Sequence, residues 1–246
     1  MADLDVAIVT YRSEAYMPRL LSDLKGMSSL SHTLQVFDNT NNAVTLTAAW
    51  NDLWRAGSSP AVAFLNPDIY LSPEWDARLV GCLRGRADVA ISMGNRYIPN
   101  GGGLEQQWMA GLAKQLGAAP SYKDLGEHLE GFYAVVVKRE ALEALHGFDE
   151  RFRFYFQDSD LQLRCLNVLG KQTVQVNHCP IWHIGMVSTR EAVQRGELDR
   201  EEELRHVDWV RAALAERRLR PWHDLSDADR AAVRLDPMYG KLPRRA

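Results

Sequence analysis

No apolar run in the chain approaches the roughly 18 residues that span a bilayer. The opening Met1-Ala2-Asp3-Leu4-Asp5 has neither the basic nor the apolar segment of a secretory signal. The sequence therefore reads as cytoplasmic, soluble or peripheral at most. Cysteine is scarce: Cys82, Cys165 and Cys179 are odd in number and far apart, which suits neither a disulfide framework nor a zinc site. Basic charge is not in excess either. Twenty-nine Lys plus Arg stand against 32 Asp plus Glu, a net charge of −3, so no global positive field draws in nucleic acid or an anionic membrane. An anionic ligand has to be met locally. Gly101-Gly102-Gly103 is not followed by Gly-Lys-Ser/Thr, so it is no P-loop and reads as a flexible loop able to act as a lid. Internal repeats and low-complexity tracts are missing. What remains is ordinary globular material: 246 residues, 46% apolar and 25% charged, enough for one large domain or two small ones.

Short apolar runs alternate with helical spacings. Asp5–Thr10 reads as a strand buried on both faces, and Tyr16–Leu24 as a helix with Pro18 in its first turn. Leu34–Phe37 and Ala61–Leu65 read as further strands, with Thr47–Ala56 a helix between them. Trp75–Leu83 is a helix and Val89–Met93 a strand, and Asn95–Gly103 reads as a loop. Leu129–Val137 is β-rich, Glu140–Leu145 a short helix, and Asp160–Leu169 a longer one. Thr173–Val176 and Pro180–His183 are short extended pieces. The alternation predicts an α/β fold with a mixed, mostly parallel central sheet flanked by helices. From Glu191 the chain is mostly charged, with Leu198, Leu204, Val207, Val210 and Leu214 near helical spacing. The expected organisation is a main domain over residues 1–190 and a helical C-terminal extension over 191–246, packed on that domain.

Three constellations carry chemistry. Asn66-Pro67-Asp68 directly follows a strand, and the carboxyl edge of such a sheet is where open α/β folds bind ligands. Asp68 is placed to ligate a hard cation, although Asn, Pro and Asp also form ordinary turns. Gln157-Asp158-Ser159-Asp160 follows the aromatic run Phe154-Tyr155-Phe156 at the start of a helix. Either aspartate could cap that helix, while apolar neighbours and free helix N–H groups together are how a carboxylate is poised as a general base. His183, in Trp182-His183-Ile184-Gly185, is a metal ligand or a structural imidazole. Thr10-Tyr11-Arg12 and Asp38-Asn39 follow the first two strands. There a Tyr can stack on a base and an Asp can accept the imide N–H of uracil or thymine. The Arg-rich stretches around Arg217 and Arg244 read as solvated surface.

In order, six blocks carry a resemblance: Val6–Tyr11; Val36-Phe37-Asp38-Asn39; Ala49-Trp50-Asn51; Phe64-Leu65-Asn66-Pro67-Asp68-Ile69; Gly131–Arg164, with Gly147-Phe148-Asp149-Glu150 inside it; and Trp182-His183 with Gly185 and Ser188. Together they resemble a family-2 glycosyltransferase of the GT-A fold, with a rhamnosyltransferase-like motif set, over about residues 4–190. The resemblance implies that Asp68 and His183 bind Mn²⁺ or Mg²⁺ with the diphosphate of a UDP- or dTDP-sugar. It places Thr10, Tyr11, Arg12, Asp38, Asn51 and Asn66 on the donor nucleotide, and Gly131, Phe132, Gln157 and Trp182 on the sugar and acceptor side. Asp158 matches the catalytic base of an inverting transfer to a hydroxyl, while Asp149 and Asp160 are expected to be structural, the latter capping the helix from Leu161.

Two departures qualify the match. Gln157 stands where the family usually has Glu, so like-charge repulsion on Asp158 is reduced, and Asn42–Ala48 lacks the glycines common in relatives. The expected enzyme adds a single sugar to a glycan, lipid-linked precursor, peptide, small molecule or modified nucleic-acid base, and a homodimer is a possible assembly. The rival readings are a non-catalytic nucleotide-sugar-binding protein and a nucleotidyltransferase.

Overall fold

The structure, a computed structural model, describes residues 2–97, 108, 112, 116–117, 119–185 and 187–236. The Gly101–Gly103 lid expectation lies outside these residues. The strands are β1 (Leu4–Thr10), β2 (His32–Asp38), β3 (Ala61–Leu65), β4 (Ile69–Tyr70), β5 (Val89–Tyr97), β6 (Tyr122–Asp124), β7 (Ala134–Lys138) and β8 (Gln172–His183). They form one sheet in the order β2-β1-β3-β7-β5-β8-β4, with β6 also on β8. Every residue of β1 and β3 is buried, as a strand covered on both faces requires, and the one charge among them, Asp5, is paired with Arg139 at 2.7 Å. β2 lies at the edge and exposes Leu34 and Val36.

The sheet is mixed and parallel along most of its paired length, as expected, with antiparallel pairings among its strands. β1 pairs parallel with β2 and β3, and β5 with β8, whereas β7 runs antiparallel to both β3 and β5, and β4 and β6 antiparallel to β8. A buried apolar run looks the same in either direction, so composition could not reveal the reversal at β7. Two expected segments also shift. Asn95–Tyr97 continues β5 rather than opening a loop, and the two extended pieces after Gln172 are one strand that crosses a register irregularity opposite Gly94–Asn95.

Helices α1 (Met17–Met27), α2 (Leu46–Ala56), α3 (Trp75–Gly85), α4 (Arg139–Leu145) and α5 (Gln157–Leu169) accompany the sheet. Thr45 caps α2 by accepting the Ala48 N–H, and Trp50 of that helix packs on Phe64 and Phe148, with ring centroids 5.5 and 5.0 Å away. Such aromatic contacts contribute about 0.5–1.5 kcal/mol each beyond area burial. Further along the chain lie α6 (Val187–Gln194), α7 (Arg200–Ala215) and α8 (Asp227–Leu235). Val207 and Val210 of α7 form a second apolar cluster with Phe152, joined by Tyr155 and Phe156 from the segment that leads into α5. Arg234 of α8 meets both oxygens of buried Glu150 at 2.7 Å. No helix among the described residues is long and apolar enough to cross a membrane.

Candidate active site

The turn after β3 brings the first pair together. Asp68 is buried, and its Oδ1 lies 3.2 Å from Nε2 of His183 at the end of β8. Its Oδ2 accepts the Gly185 N–H at 3.1 Å, and the Asp68 carbonyl accepts from Ile184 at 3.0 Å. Gly185 makes this turn with φ +81°, a left-handed conformation that glycine adopts without penalty. The His183 ring stacks on Tyr133, with centroids 5.4 Å apart, so its plane is fixed. Asn66 Nδ2 lies 3.4 Å from His183 Nε2.

Asp158 is joined to this turn through the backbone of one residue, Phe132. Its Oδ2 accepts the Phe132 N–H at 3.0 Å, while the Phe132 carbonyl accepts from Asn66 Nδ2 at 3.3 Å. The Ser159 N–H donates to Asp158 Oδ1 at 2.7 Å. Burial pushes the Asp158 carboxyl above the ordinary aspartate value, and these N–H donors pull against it. α5 begins three residues earlier than expected, at Gln157, because Phe156 takes a left-handed φ of 72° and turns the chain into the helix. Asp160 is therefore inside the first turn and does not cap the helix. It pairs with Arg164, its oxygen 2.6 Å from Nη2, as its expected structural role requires.

One carboxylate oxygen and one imidazole nitrogen converge, with an amide beside them. Among the described residues no group of three or more His, Cys, Asp or Glu side chains gathers to hold an ion without help. Such a donor set fits a divalent cation whose remaining positions are filled by substrate oxygens and water.

Comparison of the fold gives the same outline. The structure of GalNAc-T7 with UDP, GalNAc and Mn²⁺ superposes with a TM-score of 0.55 at 13% identity, over 74% of this chain and 43% of that one. Glucosyl-3-phosphoglycerate synthase from Mycobacterium tuberculosis, in complex with Mn²⁺, UDP and phosphoglyceric acid, superposes at 0.53 and 18%, over 78% and 74%. S. aureus TarS 1–349 with UDP gives 0.54 and 13%, over 82% and 68%. The chain has the GT-A glycosyltransferase fold. It thus spans less than half the length of the GalNAc-T7 chain and about seven-tenths of the other two. At the level of sequence, no protein-family model and no curated protein matches.

Within this GT-A frame the other expected residues divide. Thr10, Arg12 and Asp38 meet at the ends of β1 and β2. Asp38 Oδ1 accepts from Thr40 N and Oγ1 at 2.9 and 2.5 Å and lies 3.5 Å from Thr10 Oγ1. The Thr40 contacts hold the Asp38 carboxyl below its ordinary value. Asn66 belongs with His183 and Phe132 instead, at the turn after β3.

Asn51 is a correction. It is fully buried, its amide donates to the Phe148 carbonyl and Glu150, and its oxygen accepts from Trp54 Nε1 and the Phe148 N–H. All four of its hydrogen bonds are spent on the protein, so none is left for a nucleotide. A Cβ on Gly147, which has φ +76°, would come within 2.2 Å of the Asn51 oxygen, so the Gly-Phe-Asp turn is built around this clamp. Trp182 stacks 4.2 Å from Tyr70 and packs with Trp108, which leaves it 5% exposed.

Gly131 is exposed, and a Cβ there would lie 3.5 Å from Asp158 Oδ2. Gln157 is buried, and its Oε1 has no hydrogen-bond partner among the described residues. Three residues at the site were missed from sequence. Gln162 Nε2 donates to the Glu130 carbonyl at 2.7 Å and fastens the Gly131–Phe132 segment to α5. Its place four residues after Asp158, on one helix face, was the available signal. Tyr133 provides the platform under His183. The Tyr16 phenol is pushed up by burial and by the charges of Glu191 and Asp68.

Proposed function

We propose that this chain is an inverting, metal-dependent glycosyltransferase that moves one sugar from a UDP- or dTDP-sugar to a hydroxyl acceptor. The reading is a family-2, rhamnosyltransferase-like one. The observation that carries it is the join at Phe132, whose N–H holds the candidate base while its carbonyl holds the Asn66 amide beside Asp68 and His183. That arrangement ties a proton acceptor and a candidate diphosphate-binding turn to the backbone of one residue. The presence of UDP with Mn²⁺ in structures of this fold supports the donor class.

In this mechanism Asp158 accepts the proton of the acceptor hydroxyl on a carboxylate oxygen. The freed oxygen attacks the anomeric carbon as the bond to the diphosphate breaks, and the configuration inverts. A base so positioned is worth about 10²–10⁴ in rate. Asp68 and His183 would hold the divalent ion, which when bound supplies charge stabilisation for the departing nucleoside diphosphate. Gln157 Oε1 offers an acceptor for a sugar or acceptor hydroxyl, and Gly131 leaves the approach to Asp158 open.

The test needs no acceptor. Thermal denaturation is followed with UDP, dTDP, GDP and CMP, each with Mn²⁺, Mg²⁺ or EDTA. A nucleotide at a hundredfold excess over Kd adds about 2.7 kcal/mol. A shift with UDP or dTDP that EDTA abolishes is the expected result. A shift with none of them refutes the donor class.

A further inference from the structure

The carboxylate of Glu197 is 186 residues from Tyr11 in sequence, yet three donors converge on it. The Tyr11 hydroxyl donates to Oε2, Arg12 Nη2 stands 2.8 Å from Oε1, and Arg195 Nε stands 3.0 Å from Oε2. Arg195 is braced in turn by Glu191 at 3.2 Å. The loop that receives this contact is unusual. Arg12 has φ 48°, an uncommon conformation for a residue with a side chain, of the kind that persists where the surroundings enforce it. Ser13 clasps Tyr11 from below, its hydroxyl accepting the Tyr11 N–H at 3.2 Å and donating to the Tyr11 carbonyl at 3.1 Å. From Arg12 the contacts run on through its N–H to Thr40 Oγ1 at 3.5 Å, and from Thr40 to Asp38. Glu197, Arg12, Thr40 and Asp38 are thus one string of polar contacts.

We propose that Glu197 is a positioning residue for the nucleobase, holding Tyr11 and Arg12 so that they and Asp38 form one wall for the pyrimidine of a nucleoside diphosphate. The connection between α6 and α7 thereby belongs to the donor site. A tyrosine that swings free has to be ordered when a base arrives, and a tethered one does not, so the tether acts on affinity. Asp158 and the turn at Asp68 make none of these contacts, so the chemical step is not affected. The inference rests on the nucleotide-binding reading above.

The experiment is calorimetric titration of UDP with Mn²⁺ into the full chain and its variants, alongside UDP release from a UDP-sugar with water as acceptor. Glu197→Ala is expected to raise the UDP Kd and the donor KM about tenfold with kcat changed less than twofold. Glu197→Gln still accepts from the Tyr11 hydroxyl and is expected to recover most of the affinity. Tyr11→Phe removes the same hydrogen bond from the other side and is expected to weaken binding about threefold, which covers the case in which Glu197→Ala folds poorly. Equal affinity in all four proteins overturns the inference and leaves the donor reading standing. Tighter binding by Glu197→Ala also overturns it, since the carboxylate would then be a competitor in the pocket. If the unaltered chain binds no UDP, both readings fall.

Discussion

Replacing Asp158 by Asn separates catalysis from folding, because the side chain keeps its shape and loses only its charge and one acceptor. In the native protein the two carboxylate oxygens accept separate N–H groups, Ser159 at 2.7 Å and Phe132 at 3.0 Å. An amide has a single oxygen, so one of those N–H groups is left without a partner, a loss of about 1–3 kcal/mol. Linkage opposes it. Burial raises the Asp158 pKa in the folded protein, so the acid form is favoured there. The stability connected with this group is present in full below its unfolded pKa and is lost as pH rises through the folded one. At pH 7 the native chain carries that penalty and the variant does not. At about 2–4 °C per kcal/mol for a chain of this size, even the unopposed loss moves Tm by no more than about 12 °C. UDP release from a UDP-sugar, by contrast, should slow by about 10²–10⁴, or roughly 2.7–5.4 kcal/mol of barrier. UDP binding in the presence of Mn²⁺ should be unchanged. Release at more than a tenth of the native rate, with folding intact, would refute the assignment of Asp158 as the base.

Asp68→Ala should weaken UDP binding at least tenfold in Mn²⁺ and little in EDTA, measured by calorimetry, because it removes the charged member of the pair with His183. The raised pKa of Asp158 places the acid limb of kcat/KM above the ordinary aspartate value of 3.8, the base losing activity as pH falls through that limb. Gln157→Glu sets a second negative charge beside it and should move the limb further up, read from a pH–rate profile. Arg234→Ala leaves buried Glu150 with Asn51 and a more distant Arg55 at 3.9 Å. A hydrogen bond to a charged group contributes about 1.5–3 kcal/mol, so Tm should fall by roughly 3–12 °C.

Much of the sheet was readable because β3 is an unbroken apolar run closed by a polar turn and β1 holds the apolar stretch Val6–Val9, and the structure begins and ends β3 at the residues the pattern indicates, Ala61–Leu65. The turn at Asp68 was equally visible, since proline and asparagine punctuate that strand. Strand direction was not visible at β7, nor the continuity of β8 across its irregularity, because both are decided by pairing partners rather than by local composition. Asn51 shows the limit of motif matching: the residue type matched the motif, but its four bonds are to Trp54, Phe148 and Glu150, contacts made only once the Gly147 turn closes over the helix. Glu197 left no trace at all, being one acid in a charged stretch whose partners lie at the other end of the chain.

The peptide between Gly131 and Phe132, and the carbonyl that follows it, act as the beam of a balance. The proton acceptor hangs from one arm and the amide of the diphosphate turn from the other. Tilting that beam shifts both loads at once, so neither half of the site can be retuned by backbone movement without disturbing its counterpart. Change in what the protein accepts is therefore channelled into side chains that lie off the beam, with Gln157 on the acceptor side and the Tyr11 loop on the nucleotide side.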